Sequence, residues 1–245
     1  MSRKGERTMG IKVFEFVKRA KGLSSDEFHR RWRDELAAEI AASEAARRHL
    51  RRYELNSRLP LDYRRDRHAL EVADAGFDGV DVRWFASEAD RVAFEGDRAL
   101  AERLAGHRAR LLDPHSLSVV TADPVAILDE PGRESAQAKL LCILRRHPAL
   151  EAAPFHAHWR DHHGGLFQRI PGLRDPILAY DQNHGLATDA PFDGVTEQWF
   201  ADLAAFAESL KDEANVTDVA PDVAYMLDPK SVHFIMAGPP VVVVG

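Results

Sequence analysis

The side chains best suited to proton chemistry are crowded into one stretch of this sequence and the segment that follows it. His156, His158, His162 and His163 fall within eight residues, His184 comes next, and Asp193 and Glu197 lie shortly beyond. Imidazole exchanges protons near neutrality and a carboxylate can orient it, so the grouping points to general acid–base catalysis. Phe155, Trp159 and His163 are spaced four apart, which on a helix puts them on one face. Two aromatics on that face must point to a core, so His163 is expected at its inner edge. The expected catalytic set is His163 as general acid–base, His184 as a second proton carrier or oxyanion donor, Glu197 as the orienting carboxylate, and Asp193 in support. Trp159, Tyr180, Asn183, Phe155 and Trp199 are the expected substrate-binding residues. A plainer reading of the same residues makes the aromatics core and Asp193-Gly194 a turn.

His158 and His162 also stand at a spacing that can hold zinc. With no HExxH pattern and no dedicated third ligand evident, no metal is expected. The chain lacks a dinucleotide-binding glycine fingerprint and a phosphate loop, so no organic cofactor is expected either. The single cysteine, Cys142, lies in the apolar run Leu140-Leu141-Cys142-Ile143-Leu144 and reads as a small buried core residue.

What must position these groups is a repeated unit. Lys12 to Arg19 returns as Lys139 to Arg146, and Phe28-His29-x-x-Trp32-Arg33-Asp34 returns as Phe155-His156-x-x-Trp159-Arg160-Asp161, both at an offset of 127. Phe77-Asp78-Gly79-Val80, Trp84-Phe85-Ala86 and Leu112-Asp113-Pro114 return 115 residues later, as Phe192-Asp193-Gly194-Val195, Trp199-Phe200-Ala201 and Leu227-Asp228-Pro229. The twelve-residue change is a longer Arg- and Asp-rich loop in the first copy, between about Ser57 and Gly76. Each copy reads β-α-β-β-α-β, with first helices opening at Ser24 and near Pro154 and second helices over 88–105 and 202–212. That order is α+β and ferredoxin-like: a four-stranded antiparallel sheet with both helices on one face. Its other face needs cover, and two copies in one chain can supply it sheet to sheet as an intramolecular pseudo-dimeric α+β barrel. The expected layout is repeat one over 11–122, a linker over 123–138, repeat two over 139–237 and an apolar tail over 238–245. That tail could add an edge strand or pair with another chain.

These blocks resemble the EthD family of the dimeric α+β barrel superfamily. Phe155, Trp159 and His163, the strand from Tyr180 to Asn183-His184, and Phe192-Asp193-Gly194-Val195-x-Glu197-x-Trp199-Phe200 follow the family pattern. The first copy departs at the polar places, with Leu36, Ser57 and Val82 where the second has His163, His184 and Glu197. The resemblance implies a barrel with a pocket between helices and sheet. It also implies the company of isomerases, dehydratases and cofactor-free monooxygenases that act on aromatic or polyketide-like molecules. The expected function is a cofactor-independent enzyme of this kind, with the second copy active and the first structural. The alternative is a non-catalytic protein that binds a small apolar ligand.

A formal charge of −6 and an isoelectric point of about 6.1 leave no basic footprint for nucleic acid. No apolar run nears the ~20 residues that span a bilayer, so no membrane partner is expected. The charged start of the chain has no apolar segment after it, and a cytoplasmic location is expected. The expected partner is a small hydrophobic molecule bound to a monomeric pseudo-dimer, with further association as a homodimer left open.

Overall fold

The computed structural model describes residues 10–60, 76–129, 132–228 and 230–245. Nearly all of the longer loop expected between Ser57 and Gly76 lies outside them. In the first copy, β1 (Ile11–Val17), β2 (Leu50–Ser57), β3 (Gly79–Phe85) and β4 (Ser118–Asp129) lie in the order β4-β1-β3-β2. In the second, β5 (Ala138–Leu144), β6 (Ile177–Gly185), β7 (Gly194–Phe200) and β8 (His233–Ala237) repeat it as β8-β5-β7-β6. Every pairing is antiparallel, and the register is duplicated too: Lys12 faces Trp84 as Lys139 faces Trp199. The expected α+β duplication is the architecture.

The first helix of each copy, residues 25–42 and 152–169, carries a π-helical turn at the matching place, Trp32–Ala37 and Trp159–His163. Phe28, Trp32 and Leu36 are buried in one copy, Phe155, Trp159 and His163 in the other, so the four-residue spacing does mark the inner face. In the first copy the helix breaks at Ser43. Ser43 adopts extended backbone and its hydroxyl caps the next helix, Glu44–His49, accepting from Ala46 N at 3.0 Å. The second helical layer is Glu88–Glu95 and Arg98–Leu111 in copy one, and Leu203–Ser209 followed by residues 215–226 in copy two. The last of these lies beyond the expected 202–212.

One contact explains why Trp on the helix and Gly on the third strand recur together. A Cβ on Gly79 would sit 2.5 Å from the Trp32 ring and 3.2 Å from Asn56 O. One on Gly194 would sit 2.6 Å from both the Trp159 ring and Asn183 O. Only glycine lets the indole lie flat against the strand.

The copies close on each other through two crossings. β4 pairs with β1 over Lys12–Phe16 and then runs on to pair with β6 from Ala122 to Asp129. The stretch expected as the start of a linker is therefore strand, its Pro124 sitting where β4 passes from one neighbour to the other. The second crossing is broken: after β8 the chain turns through Gly238-Pro239-Pro240 and re-enters as β9 (Val241–Val244), paired with β2. Leu59 N donates to Met236 O at 2.8 Å, so the ends of the sheet meet and the barrel is closed. The apolar tail is thus an internal closing strand.

Inside, Phe14, Phe16, Val80 and Val82 pack on Leu141, Ile143, Val195 and Ile235 as one shared core. Toward one end this core turns ionic. Lys12 lies 2.6 Å from Glu197 and 3.1 Å from Asp181, and Lys139 lies 2.7 Å from Glu197 and 3.5 Å from Glu54. Arg133 grips Asp181 with two hydrogen bonds and stacks 4.3 Å from the Trp199 ring centre. Burial would push the Glu197 carboxyl up, but Lys12 and Lys139 outweigh it and hold the group at about 2.

Two outcomes follow. Gly194→Ala should cost about 1–3 kcal/mol by overpacking against Trp159, read as a lower denaturant midpoint with an unchanged slope. Glu197→Gln leaves two buried ammonium groups short of a counter-charge and should cost about 3–5 kcal/mol in the same experiment. A neutral result would show that Glu54 and Asp181 suffice.

Candidate functional site

The second copy encloses a cavity of about 440 Å³ between its helices and the outer face of its sheet. Leu140, Phe167, Leu173, Ile177, Phe200, Phe206 and Phe234 form its apolar wall, and Cys142, Gln198, Ser209 and Asn215 are its polar lining residues. Burial pushes the Cys142 thiol up to about 12, so it stays protonated and is not a nucleophile at neutral pH. The cysteine expected as core packing is instead a cavity-lining residue. A space of this size and lining suits a small apolar molecule with one or two hydrogen-bonding groups.

The first copy fills the corresponding space with charge. Cys142, Thr196, Gln198 and Val223 have Glu15, Asp81, Arg83 and Arg108 as counterparts. Glu15 is gripped by Arg83 at 2.5 Å and by Arg108, and Arg83 also bonds Asp81 at 2.9 Å. Burial pushes the Asp81 carboxyl up to about 7 against the pull of Arg83. This network occupies one copy and is wholly replaced in the other.

The residues expected to share one catalytic site are distributed over several. His163, buried, bonds Asp222 Oδ2 through Nδ1 at 2.7 Å, and its ring packs 5.3 Å from Phe167 on the cavity wall. His184 lies near the end of β6, its Nδ1 2.9 Å from Nδ1 of His156 and its ring 4.6 Å from Trp159. Asp193 is bound by the Arg146 side chain and by Arg146 N at 2.9 Å. Asp78 is held by Arg19 in the same way in the first copy, so this carboxylate pins a strand end in both. Glu197 is in the barrel interior with Lys12 and Lys139, not beside either histidine. Strand alternation carries that signal: Val195, Glu197 and Trp199 share the inner face, while Gln198 and Phe200 face the helices.

The expected binding residues divide similarly. Phe155 and Trp159 belong to a core cluster with Leu144 and Met226. Tyr180 is fully buried and its hydroxyl accepts from Gln182 Nε2 at 3.0 Å. Asn183 donates to Val195 O at 2.9 Å and to Glu197 at 3.1 Å, with Asn56 making the matching bond to Val80 O. Trp199 lines a separate recess of about 510 Å³ at the barrel mouth, with Trp84, Arg52 and Arg133.

Asp222 is the functional candidate that sequence reasoning missed. It stands on the last helix, more than fifty residues beyond the histidines, and its Oδ1 lies 2.5 Å from His158 Nε2 and 3.6 Å from His162 Nε2. The third group that seemed lacking beside His158 and His162 is therefore present. Burial raises the Asp222 carboxyl, but hydrogen bonds from His163 and His158 outweigh it and hold it below the ordinary value.

Two ferredoxin-like units closed into one barrel, with a cavity behind a single sheet, define a protein of the dimeric α+β barrel superfamily. The profile of the EthD domain matches residues 20–115 and again residues 147–230, and the chain belongs to the EthD family as a tandem duplication. Among solved structures, it is similar to an anthrone oxidase-like protein, with TM-score 0.67, 9% identity and 96% of this chain and 93% of that one covered. It is also similar to a protein named as a candidate monooxygenase from Lactobacillus acidophilus, with TM-score 0.53, 12% identity and coverage of 96% and 94%. A dye-decolorizing peroxidase from Bacteroides thetaiotaomicron aligns with TM-score 0.53, 10% identity and coverage of 94% and 93%. At these identities the likeness shows the fold. No curated protein matches the chain. Among the described residues, no helix is long and apolar enough to cross a membrane.

The His156–His184 pair carries a pH signature. Burial, with His156 and Arg160 adding to it, lowers His184 from 6.5 to about 3. Between those values the unfolded chain binds a proton that the folded chain does not, so stability falls as pH drops through this window and is flat above it. His184→Ser, which installs the residue of the first copy, should flatten the pH dependence of unfolding. The difference in slope should stay below about 1.4 kcal/mol per pH unit, because His184 is partly exposed. Equal slopes in urea melts from pH 4 to 7 would place the titration elsewhere.

Proposed function

We propose that this chain is a small-molecule enzyme of the EthD type. It takes a hydrophobic, ring-containing substrate into the cavity of its second copy and acts by proton transfer without an organic cofactor, in an isomerisation, a dehydration, or an oxygenation in which the deprotonated phenol or enol is oxidised by dioxygen and the second oxygen atom leaves as water. The observation that carries this reading is the contrast between the copies. Where the first links Glu15, Arg83, Arg108 and Asp81 in one ionic network, the second has an apolar space edged by Gln198 and Asn215. Gln198 can hold a phenolic or carbonyl oxygen in an otherwise apolar wall, whereas Asn215 Nδ2 and Ser209 Oγ already donate to backbone carbonyls. His163 is the acid–base candidate, its ring packed against Phe167 of the cavity wall. The anthrone oxidase-like and monooxygenase-named neighbours support a reading of this type. A second reading, a non-catalytic carrier, is favoured by one feature: among the described residues, Cys142 is the only titratable one in the cavity lining, and its thiol is held protonated.

A thermal-shift screen of phenols, anthrones, lactones and short ethers separates these outcomes. A ligand at a hundred times its Kd should stabilise the wild type by about 2.7 kcal/mol. Cys142→Phe, which fills part of the cavity, should lose that shift. If the bound compound is turned over, and His163→Gln keeps binding but slows turnover at least tenfold, the enzyme reading stands. Binding without turnover selects the carrier. A shift that Cys142→Phe retains would sink the cavity as the site.

A further inference from the structure

We propose that His158, His162 and Asp222 form a binding site for a divalent first-row transition metal, zinc being the ion that a set of two imidazoles and a carboxylate suits best. The proposal does not depend on the cavity. The two histidines stand one helical turn apart across the start of the π-helical segment, their ring centres 4.7 Å apart. Both Nε2 atoms turn to the same oxygen, Asp222 Oδ1, at 2.5 and 3.6 Å. The three ligand atoms all lie within 4.8 Å of one another. Zinc bonds of about 2.0–2.2 Å to nitrogen and oxygen need ligand atoms roughly 3.3 Å apart, so the His158–Asp222 contact opens by about 0.8 Å and exposed His162 swings in by up to about 1.5 Å.

The surroundings are those of a built site. Asp222 is only 7% exposed, and its second oxygen is held by the buried His163, which aims Oδ1 at the two imidazoles. A fixed outer partner of this kind is what orients a ligating carboxylate. The His162 side chain, 55% exposed, leaves the remaining coordination position open to water or to a ligand.

The first copy supplies an internal control. At the positions of His158, His162 and Asp222 it has Arg31, Glu35 and His107. Arg31 Nε donates to Glu35 Oε1 at 2.7 Å, and His107 lies 3.3 Å from Glu35 Oε2. One carboxylate thus meets a built-in cation, the Arg31 guanidinium. In the second copy the carboxylate has moved to the opposite helix and the arginine is an imidazole. A carboxylate between imidazoles takes its cation from solution.

The test is zinc titration of EDTA-treated, dialysed protein by calorimetry, with cobalt absorption as a report on geometry. Wild type should bind one equivalent per chain and melt at a higher temperature with zinc present. His158→Gln and His162→Gln should each bind at least tenfold more weakly with unchanged circular dichroism, whereas His115→Gln, at an exposed histidine of the first copy, should bind as wild type does. Should His158→Gln fold poorly, exposed His162→Gln decides alone. The combination His158→Arg, His162→Glu and Asp222→His rebuilds the ion pair of the first copy and should fold without binding zinc. Absence of stoichiometric binding, or binding that His162→Gln retains in full, overturns the proposal.

Discussion

Neither copy can bury its own sheet. Each covers one face with helices and leaves the other lined by Phe14, Phe16, Val80 and Val82, or by Leu141, Ile143, Val195 and Ile235, so each is a folded half only in the presence of the other. Closing two open sheets also means ending their edges, and the two crossings do this with the fourth strand of each copy. This single requirement accounts for the length of β4, for a proline tolerated at its midpoint, and for an apolar tail brought back onto β2. It further decides which side of the sheet is free to change. The inner side must remain complementary across the barrel, whereas the outer side answers only to its own helices.

The copies have diverged along that line. Residues that hold the unit together recur in both: Trp against Gly, the Arg–Asp clamp at the strand end, the Asn that ties neighbouring strands. Behind the sheet they differ in kind. One has an ionic plug and an Arg–Glu–His contact between its helices; the other has a cavity and a carboxylate between imidazoles. Buried ion pairs contribute little net stability to a fold, so exchanging the plug for apolar lining need not weaken the second copy.

The repeated blocks made the architecture legible in the sequence, because Trp32 and Trp159, Asp78 and Asp193, or Gly79 and Gly194 are fold-making residues that had to survive twice. Inner and outer placement on the first helix was legible from the spacing of Phe155, Trp159 and His163. Glu197 was assigned to the wrong neighbours for a reason visible in its own strand: it alternates with Gln198, and only one of the two can face the helices. The cavity was hidden for a subtler reason. It is marked by what the second copy has lost, Glu15, Arg83 and Arg108, and not by polar groups it has gained. Asp222 had no local mark at all, since a helix–helix contact made across more than fifty residues leaves no periodic trace. The closing role of the Val241–Val244 run was equally silent, a strand being defined by its partner.

Glu197 has Val82 as its counterpart, and it alone sits between Lys12 and Lys139. Two separate identical subunits would carry that position in duplicate, giving either two such carboxylates or none beside the pair of lysines. Joining the copies in one chain permits an odd number. The interior can then be tuned by one unit of charge at its pseudo-twofold axis, a setting that exact symmetry forbids.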